Sequence, residues 1–400
     1  MTQHPERVAA ARPSADSLGF VAIPADLAMA GDRRAALFRQ FIVALGGYTE
    51  LIVATHAAAV QVVAKWLPID RHVRIIAIDD AVDFTSWVQD ACLVALDGAG
   101  KPSLILPRAE RRQADKAVAE LVAKEVGFEP RSASSDFEGG NVLVAPNFAL
   151  AGADLGGVDL LATMADAGMR QTVHVLSIHV ELPRPSIGWL DTPDGPVIEE
   201  LFGHAGRRQP LFHIDGFISL AGPGSDGRER VLVGDSRMAV GDVNDERLRL
   251  LRQSLADELD EIAADLTTQG KFEVLRNPLV IAPFDDVGLF QWSRRTLERR
   301  FAGLDGLDDV LRLFDLKGLK SARVRRWRAL TQNGVIVFGQ PGRGTVLLPT
   351  YSAGRPFLRP AERHNAAIWR GLGFNVVELG DFTDFASDNG SPHCLFKLLR

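Results

Sequence analysis

"NGVIVFGQPGRGTVLLPTYSAGRPFLRPAERHNAAIWRGLGFNVVELG", residues 333–380, sets out one structural unit in full. "NGVIVFGQ" reads as a strand, "PGRG" as a turn and "TVLLPT" as a second strand. "RPAERHNAAIWRGLGF" reads as a helix, with Pro360 near its first turn and Gly371 and Gly373 at its end. Proline's fixed φ suits a helix start, and glycine suits a helix stop. "NVVELG" is a third strand, and "CLFKLL" near the C-terminus is another.

The same order stands upstream. "ACLVALD" is a strand, "GAGK" a turn and "PSLILP" a strand; "RRQADKAVAELVAKEVGF" is a helix with Ala114, Val118, Leu121 and Val122 on one stripe; "GNVLVAP" closes the copy. A third copy begins at "FHIDGFISLAG", turns at "PGSDGRE" and continues through "RVLVGD". Asn244 can cap its long helix, whose face carries Leu248, Leu251, Leu255, Ile262 and Leu266, and "KFEVLRNP" and "LVIAPF" close it. The first ~80 residues and the region near 150–200 alternate strand and helix less regularly. A strand–strand–helix–strand unit of roughly 60–70 residues therefore recurs, and one such unit cannot bury its sheet alone. Copies packed about an axis would send the first strand of each into one region of space. Residues 1–20, which lack a signal-peptide core, read as a flexible leader, and 21–400 as one domain.

Composition narrows the function. The chain is 46% hydrophobic and 24% charged with a net charge of -6, a soluble globular balance with no basic stripe for nucleic acid. No apolar run approaches the ~20 residues of a membrane span. Two cysteines, Cys92 and Cys394, make no disulfide framework, which points to a reducing, cytoplasmic setting. A homodimer is compatible with these features.

Rare polar residues fall at equivalent places. "SWVQDACLVAL" puts Asp90 before a strand, "DFEGGNVLVAP" puts Glu138 before another, "LFHIDGFISL" puts His213 and Asp215 at a third, and "NGSPHCLFKLL" puts Cys394 at the last. Strand alternation would set His213 and Asp215 on one face. Gly139 and Gly140 would supply unusual dihedrals beside Glu138. A Cys thiolate becomes a strong nucleophile where an imidazolium lowers its pKa, and a carboxylate can orient that imidazole. The remaining carboxylates suit a planar guanidinium, which they bind through forked N–H···O bonds. The predicted chemistry is thiolate attack on a guanidinium or amidinium carbon. Each residue also has a structural alternative: Cys394 as core packing, "HID" as an ordinary strand start, Glu138 as part of a turn, Asp90 as a turn cap. Cys92 and His393 are taken as structural, His393 with the further option of supporting a site residue. Arg237 and Arg343 sit on turns and are left outside the site.

"WVQD", "FEGGN", "HIDGFISL" and the terminal "SPHC" resemble the signature blocks of the guanidino-group-modifying, or pentein, superfamily, which includes arginine, agmatine and peptidylarginine deiminases, dimethylarginine hydrolase and the amidinotransferases. The blocks occur in family order across nearly the whole chain from about residue 40. The resemblance implies an α/β fold, a five-bladed αβ-propeller of ββαβ units with pseudo-fivefold symmetry. It implies Cys394 as nucleophile, His213 as general acid/base, Asp90 and Asp215 as the grip on the guanidinium, and Glu138 as the partner of His213 or of a substrate nitrogen. It implies a hydrolase that converts a guanidino group to a ureido group and ammonia, on a small guanidino compound or an arginine-containing peptide. No metal or organic cofactor is expected. An intact Glu138 resembles the enzymes of small substrates, and Gly216 stands where relatives often carry a larger residue. The alternatives are an amidinotransferase, which passes the amidino group to an amine, and a non-catalytic guanidine-binding propeller.

Overall fold

A computed structural model describes residues 7–8, 17–67, 73–96, 102–108, 112–145, 148–153, 172–176, 186–192, 195–201, 213–238, 246–285, 293–330, 333–340, 343–388 and 390–399. The expected turns at 98–101 and 341–342 and the Asn244 cap lie outside these residues, as do the side chains of Leu248 and Leu251.

The fold is α/β, with six open sheets. Five of them share one pairing rule: an inner strand lies antiparallel to a middle strand, which lies parallel to a third. The inner strands are Leu93–Leu96, Val142–Val144, Ile218–Pro223, Val335–Gln340 and Lys397–Leu398. In four of these sheets a helix follows the middle strand: Arg33–Leu45, Gln113–Glu125, Glu246–Thr268 or Arg359–Gly371. The parallel pairing demands such a crossover, because parallel strands cannot be joined by a tight hairpin.

The apolar residues of these elements pack between sheets. Phe38 and Phe41 of the helix Arg33–Leu45 share an apolar cluster with Leu347 and Leu379 of the sheet formed by residues 335–381. Phe20 and Ile52 pack with Leu104, Val118 and Val122. Leu93 and Ile105 meet Val142 and Ala149. Leu150 meets Ile218 and Val231, and Leu232 meets Val346, Leu348 and Trp369. Each of the five sheets thus shares an apolar cluster with two others. A cavity of about 160 Å³ is lined by residues of all five inner strands, among them Val94, Leu143, Ser219, Ile336 and Lys397.

Three expectations change. "LVIAPF" does not close the third copy: Val280–Asp285 pairs antiparallel with Arg323–Leu330 at the edge of the sixth sheet, and Arg323–Leu330 separates it from the hairpin Ser186–Thr192 and Gly195–Leu201. Its apolar run satisfies either sheet equally, so periodicity alone could not assign it. The segment 1–20 contains structure: Arg7–Val8 pairs with Ala95 and Leu96, and the buried strand Leu18–Ile23 begins inside it. Finally, "CLFKLL" is a strand only at Lys397–Leu398, preceded by a 3-10 turn over His393–Leu395. Among the described residues no helix is long and apolar enough to cross a membrane.

Candidate active site

Four inner strands are entered through a single 3-10 turn: Val88–Ala91, Gly139–Asn141, Ile214–Gly216 and His393–Leu395. Asp90, Asp215 and Cys394 lie within these turns, and Glu138 and His213 immediately precede two of them. His213 and Asp215 therefore converge through a turn and not through strand alternation.

Carboxamides lace the turns together. Gln89 Nε2 donates to the Gly139 carbonyl at 3.3 Å, and the Ile214 N–H donates to Asn141 Oδ1 at 3.4 Å. Asn333, ahead of the remaining inner strand Val335–Gln340, donates to the carbonyls of Asp215 and Ile218 and bonds the Ser219 hydroxyl. The glycines of "EGG" serve by their size, since neither has a positive φ. A Cβ on Gly139 would run into the Gln89 carbonyl and come within 2.9 Å of that of Cys92. A Cβ on Gly140 would sit 2.8 Å from both Asp90 Oδ1 and His213 Nδ1 and 3.1 Å from Asp215 Oδ2. A Cβ on Gly216 would meet nothing within 4 Å.

Around Gly140 the sequence-predicted residues form two bonded groups, one on His213 and one on Asp215. His213 Nε2 lies 2.6 Å from Glu138 Oε2, and Nδ1 lies 3.6 Å from Asp90 Oδ1, which also accepts the Gly140 N–H at 3.1 Å. Cys394 Sγ is 3.9 Å from Asp215 Oδ2 and 3.5 Å from Ser391 Oγ. His393 Nδ1 lies 2.8 Å from the same Asp215 oxygen, a place that fits the option of supporting a site residue.

Burial dominates the electrostatics. It would lower the His213 pKa, but the Asp90 charge and the Glu138 hydrogen bond outweigh it and raise the value, which favours imidazolium. Burial pushes Asp90 up, against the pull of His213 and Arg112. Burial also pushes the Cys394 thiol well above its ordinary range, and the Asp215 and Asp90 carboxylates push the same way. The expected lowering by an imidazolium is absent, because carboxylates are the charges nearest the sulfur. Cys92 is buried in an apolar cluster and its thiol is raised by that burial, consistent with a structural part.

Two residues not singled out from sequence complete the cluster. Arg112, just before the helix Gln113–Glu125, pairs with Asp90, Glu138 and Asp115. Asp115 accepts from the backbone N–H and hydroxyl of Thr85, tying down the approach to the Asp90 turn. Their signal was the polar "RRQAD" at a helix start, which reads equally as solvated surface. Arg237 pairs with Asp235 and Asp260 outside the cluster. Asp90, Glu138 and His213 could offer three ligand atoms within 4.8 Å of one another to a metal, but the Arg112 guanidinium already pairs with both carboxylates.

No family model matches the chain, and no curated protein does. Solved structures do. An agmatine deiminase of C. jejuni aligns over 100% of this chain and 97% of its own, at 12% identity and a TM-score of 0.57. A cysteine-to-serine variant of a C. jejuni agmatine deiminase with substrate bound aligns over the same shares at 11% identity and a TM-score of 0.56. An agmatine deiminase of Enterococcus faecalis covers 98% of this chain and 95% of its own, at 11% identity and a TM-score of 0.56. The chain shares the α/β fold of these deiminases across its length.

Proposed function

We propose that this protein is a guanidino deiminase acting on a small guanidino compound. One observation carries the reading: an imidazole paired to a carboxylate, a thiol and two further carboxylates meet around Gly140, where three strand-entry turns and the terminal one converge. The shared fold of agmatine deiminases supports it. The pairing rule common to five sheets, their chain of shared apolar clusters and the cavity lined by all five inner strands support a five-bladed ring closed by the C-terminal strand.

Chemistry follows from charge. The carboxylates around Cys394 disfavour its thiolate. A bound guanidinium, held by Asp90 and Asp215, reverses that balance and lets the thiol proton leave to solvent. The thiolate attacks the guanidinium carbon and forms a C–S bond. His213, protonated, gives its proton to the departing nitrogen; ammonia leaves and a cationic amidino-thioether remains on Cys394. Neutral His213 then takes a proton from water as the oxygen attacks the same carbon. Collapse breaks the C–S bond, returns the thiolate, and yields the ureido product after loss of one proton. Glu138 keeps the His213 ring oriented through both steps.

The test is ammonia and ureido product measured together across free arginine, agmatine, methylarginines, guanidino acids and an arginine peptide. Equimolar release on one small substrate, lost in Cys394→Ser, is expected. Wild-type turnover in Cys394→Ser, or amidino transfer to an added amine without ureido product, overturns the reading.

A further inference from the structure

Arg112 turns its guanidinium into the carboxylate cluster. Nη2 lies 3.2 Å from Asp90 Oδ2, Nε 3.6 Å from Glu138 Oε1, and Nη1 3.4 Å from Asp115 Oδ2. The side chain is only 24% exposed. The other Asp90 oxygen accepts the Gly140 N–H and faces His213 Nδ1. Both oxygens of Asp90 are therefore engaged. A guanidinium binds a carboxylate best through two parallel N–H···O bonds, and Asp90 has no free edge for them while Arg112 is seated. Asp115 stands apart from the site: its oxygens also accept from Thr85, so it can keep hold of Arg112 after the contact with Asp90 breaks.

We propose that Arg112 is an internal occupant of the guanidinium subsite, a gate that an incoming guanidino group displaces from Asp90 and Glu138. The proposal rests on the deiminase reading of Asp90 and adds a competitor for it. Charge explains why a cation belongs there. Asp90, Glu138 and Asp215 face His213 and Arg112, and exchanging Arg112 for a substrate guanidinium leaves the local sum unchanged. The gate therefore selects for a cation of the same shape. A small neutral reagent does not compete with it.

The test compares two thiol alkylators of similar size, 2-chloroacetamidine, which carries an amidinium, and neutral iodoacetamide. Modification of Cys394 is followed by mass spectrometry of the C-terminal peptide, which separates it from Cys92. The expected result is that Arg112→Gln raises the ratio of the amidine rate to the amide rate by about tenfold, the removal of one competing charge-assisted pair. An unchanged or lower ratio overturns the gate. Should Arg112→Gln fail to fold, Arg112→Lys keeps the charge without the fork, and a rise of about threefold is expected from it; no rise overturns the proposal. Alkylation needs no turnover, so the two readings fail separately. A raised ratio without ammonia release by wild type keeps the gate and sinks the deiminase. Ammonia release with an unchanged ratio does the reverse.

Discussion

Asp215 Oδ2 lies 3.9 Å from Cys394 Sγ and 2.8 Å from His393 Nδ1, so one carboxylate oxygen is shared by the thiol and an imidazole. Burial first, then the Asp215 and Asp90 charges, keep the thiol protonated. Replacing Asp215 by Asn removes one of those charges, lowers the thiol pKa and increases the thiolate at a given pH. Asp215→Asn should therefore speed alkylation of Cys394 by iodoacetamide at pH 8, by about tenfold where the thiol pKa falls by about one. Turnover should vanish in the same variant, because the grip on the substrate is lost. Slower alkylation would show that Asp215 activates the sulfur directly.

The 2.6 Å contact between His213 and Glu138 makes a pH prediction with a definite sign. Glu138 helps to raise the His213 pKa, so Glu138→Gln lowers it. The basic limb of the kcat/KM profile, where His213 loses its proton, should move to lower pH, and kcat should fall by about 10²–10⁴. Stability follows the same linkage. A raised imidazole pKa contributes stability fully below the unfolded value of about 6.5 and loses it as pH rises through the folded value. Urea midpoints at pH 6 and pH 9 should show Glu138→Gln costing more at the lower pH. An equal cost at both would mean that His213 is neutral.

Gly139 and Gly140 predict opposite failures. A Cβ on Gly139 would press on the backbone carbonyls of Gln89 and Cys92, which cannot yield without moving the Asp90 turn. Gly139→Ala should cost about 1–3 kcal/mol or more in urea unfolding. A Cβ on Gly140 would meet side-chain atoms of Asp90, His213 and Asp215, which can shift. Gly140→Ala should keep most of its stability and lose most of its turnover. A variant pair ranked the other way would refute this division.

Asn333 is a structural tie. Its amide holds the carbonyls of Asp215 and Ile218, and its oxygen bonds Ser219, all buried. Asn333→Ala takes away all of these partners and should cost about 2–4 kcal/mol. Asn333→Asp should cost more, since a carboxylate places an acceptor against two carbonyls. Chemical denaturation of both variants decides the order.

How much of this was legible depended on the kind of signal. The repeat could be read at 333–380 because strand, turn, capped helix and strand each leave a local mark there. Asp90, Glu138, His213, Asp215 and Cys394 could be read because rare polar residues interrupt apolar segments at matching places. The 3-10 turns were hidden, since a short apolar stretch after a polar residue continues a strand pattern equally well. Asn333 stood at the matching place too, but an Asn-Gly pair is an ordinary turn signal. Arg112 left only the polar "RRQAD" mark of a solvated helix start: it is the fold that brings this arginine to carboxylates from two other turns.

The C-terminus separates folding from chemistry. Lys397–Leu398 pairs with Gly19 and Phe20, the Leu399 N–H donates to the Leu18 carbonyl at 2.7 Å, and the Phe396 ring fills the space above Gly19. Leu395, Phe396 and Leu399 are buried, at about 1.5–3 kcal/mol for each side chain. Removing residues 391–400 forfeits all three and opens the pairing that joins the two ends of the chain. Set against a total stability of about 5–15 kcal/mol, that loss should leave the protein unfolded or aggregated at 25 °C. Cys394→Ser changes one atom beside Asp215 and Ser391, and its melting temperature should stay within about 4–8 °C of wild type, the shift expected for ~1 kcal/mol in a small domain and an upper bound for a chain this long. Turnover in that variant should be undetectable. A folded truncation, measured by circular dichroism and size-exclusion chromatography, would mean that the terminal strand does not hold the first sheet together.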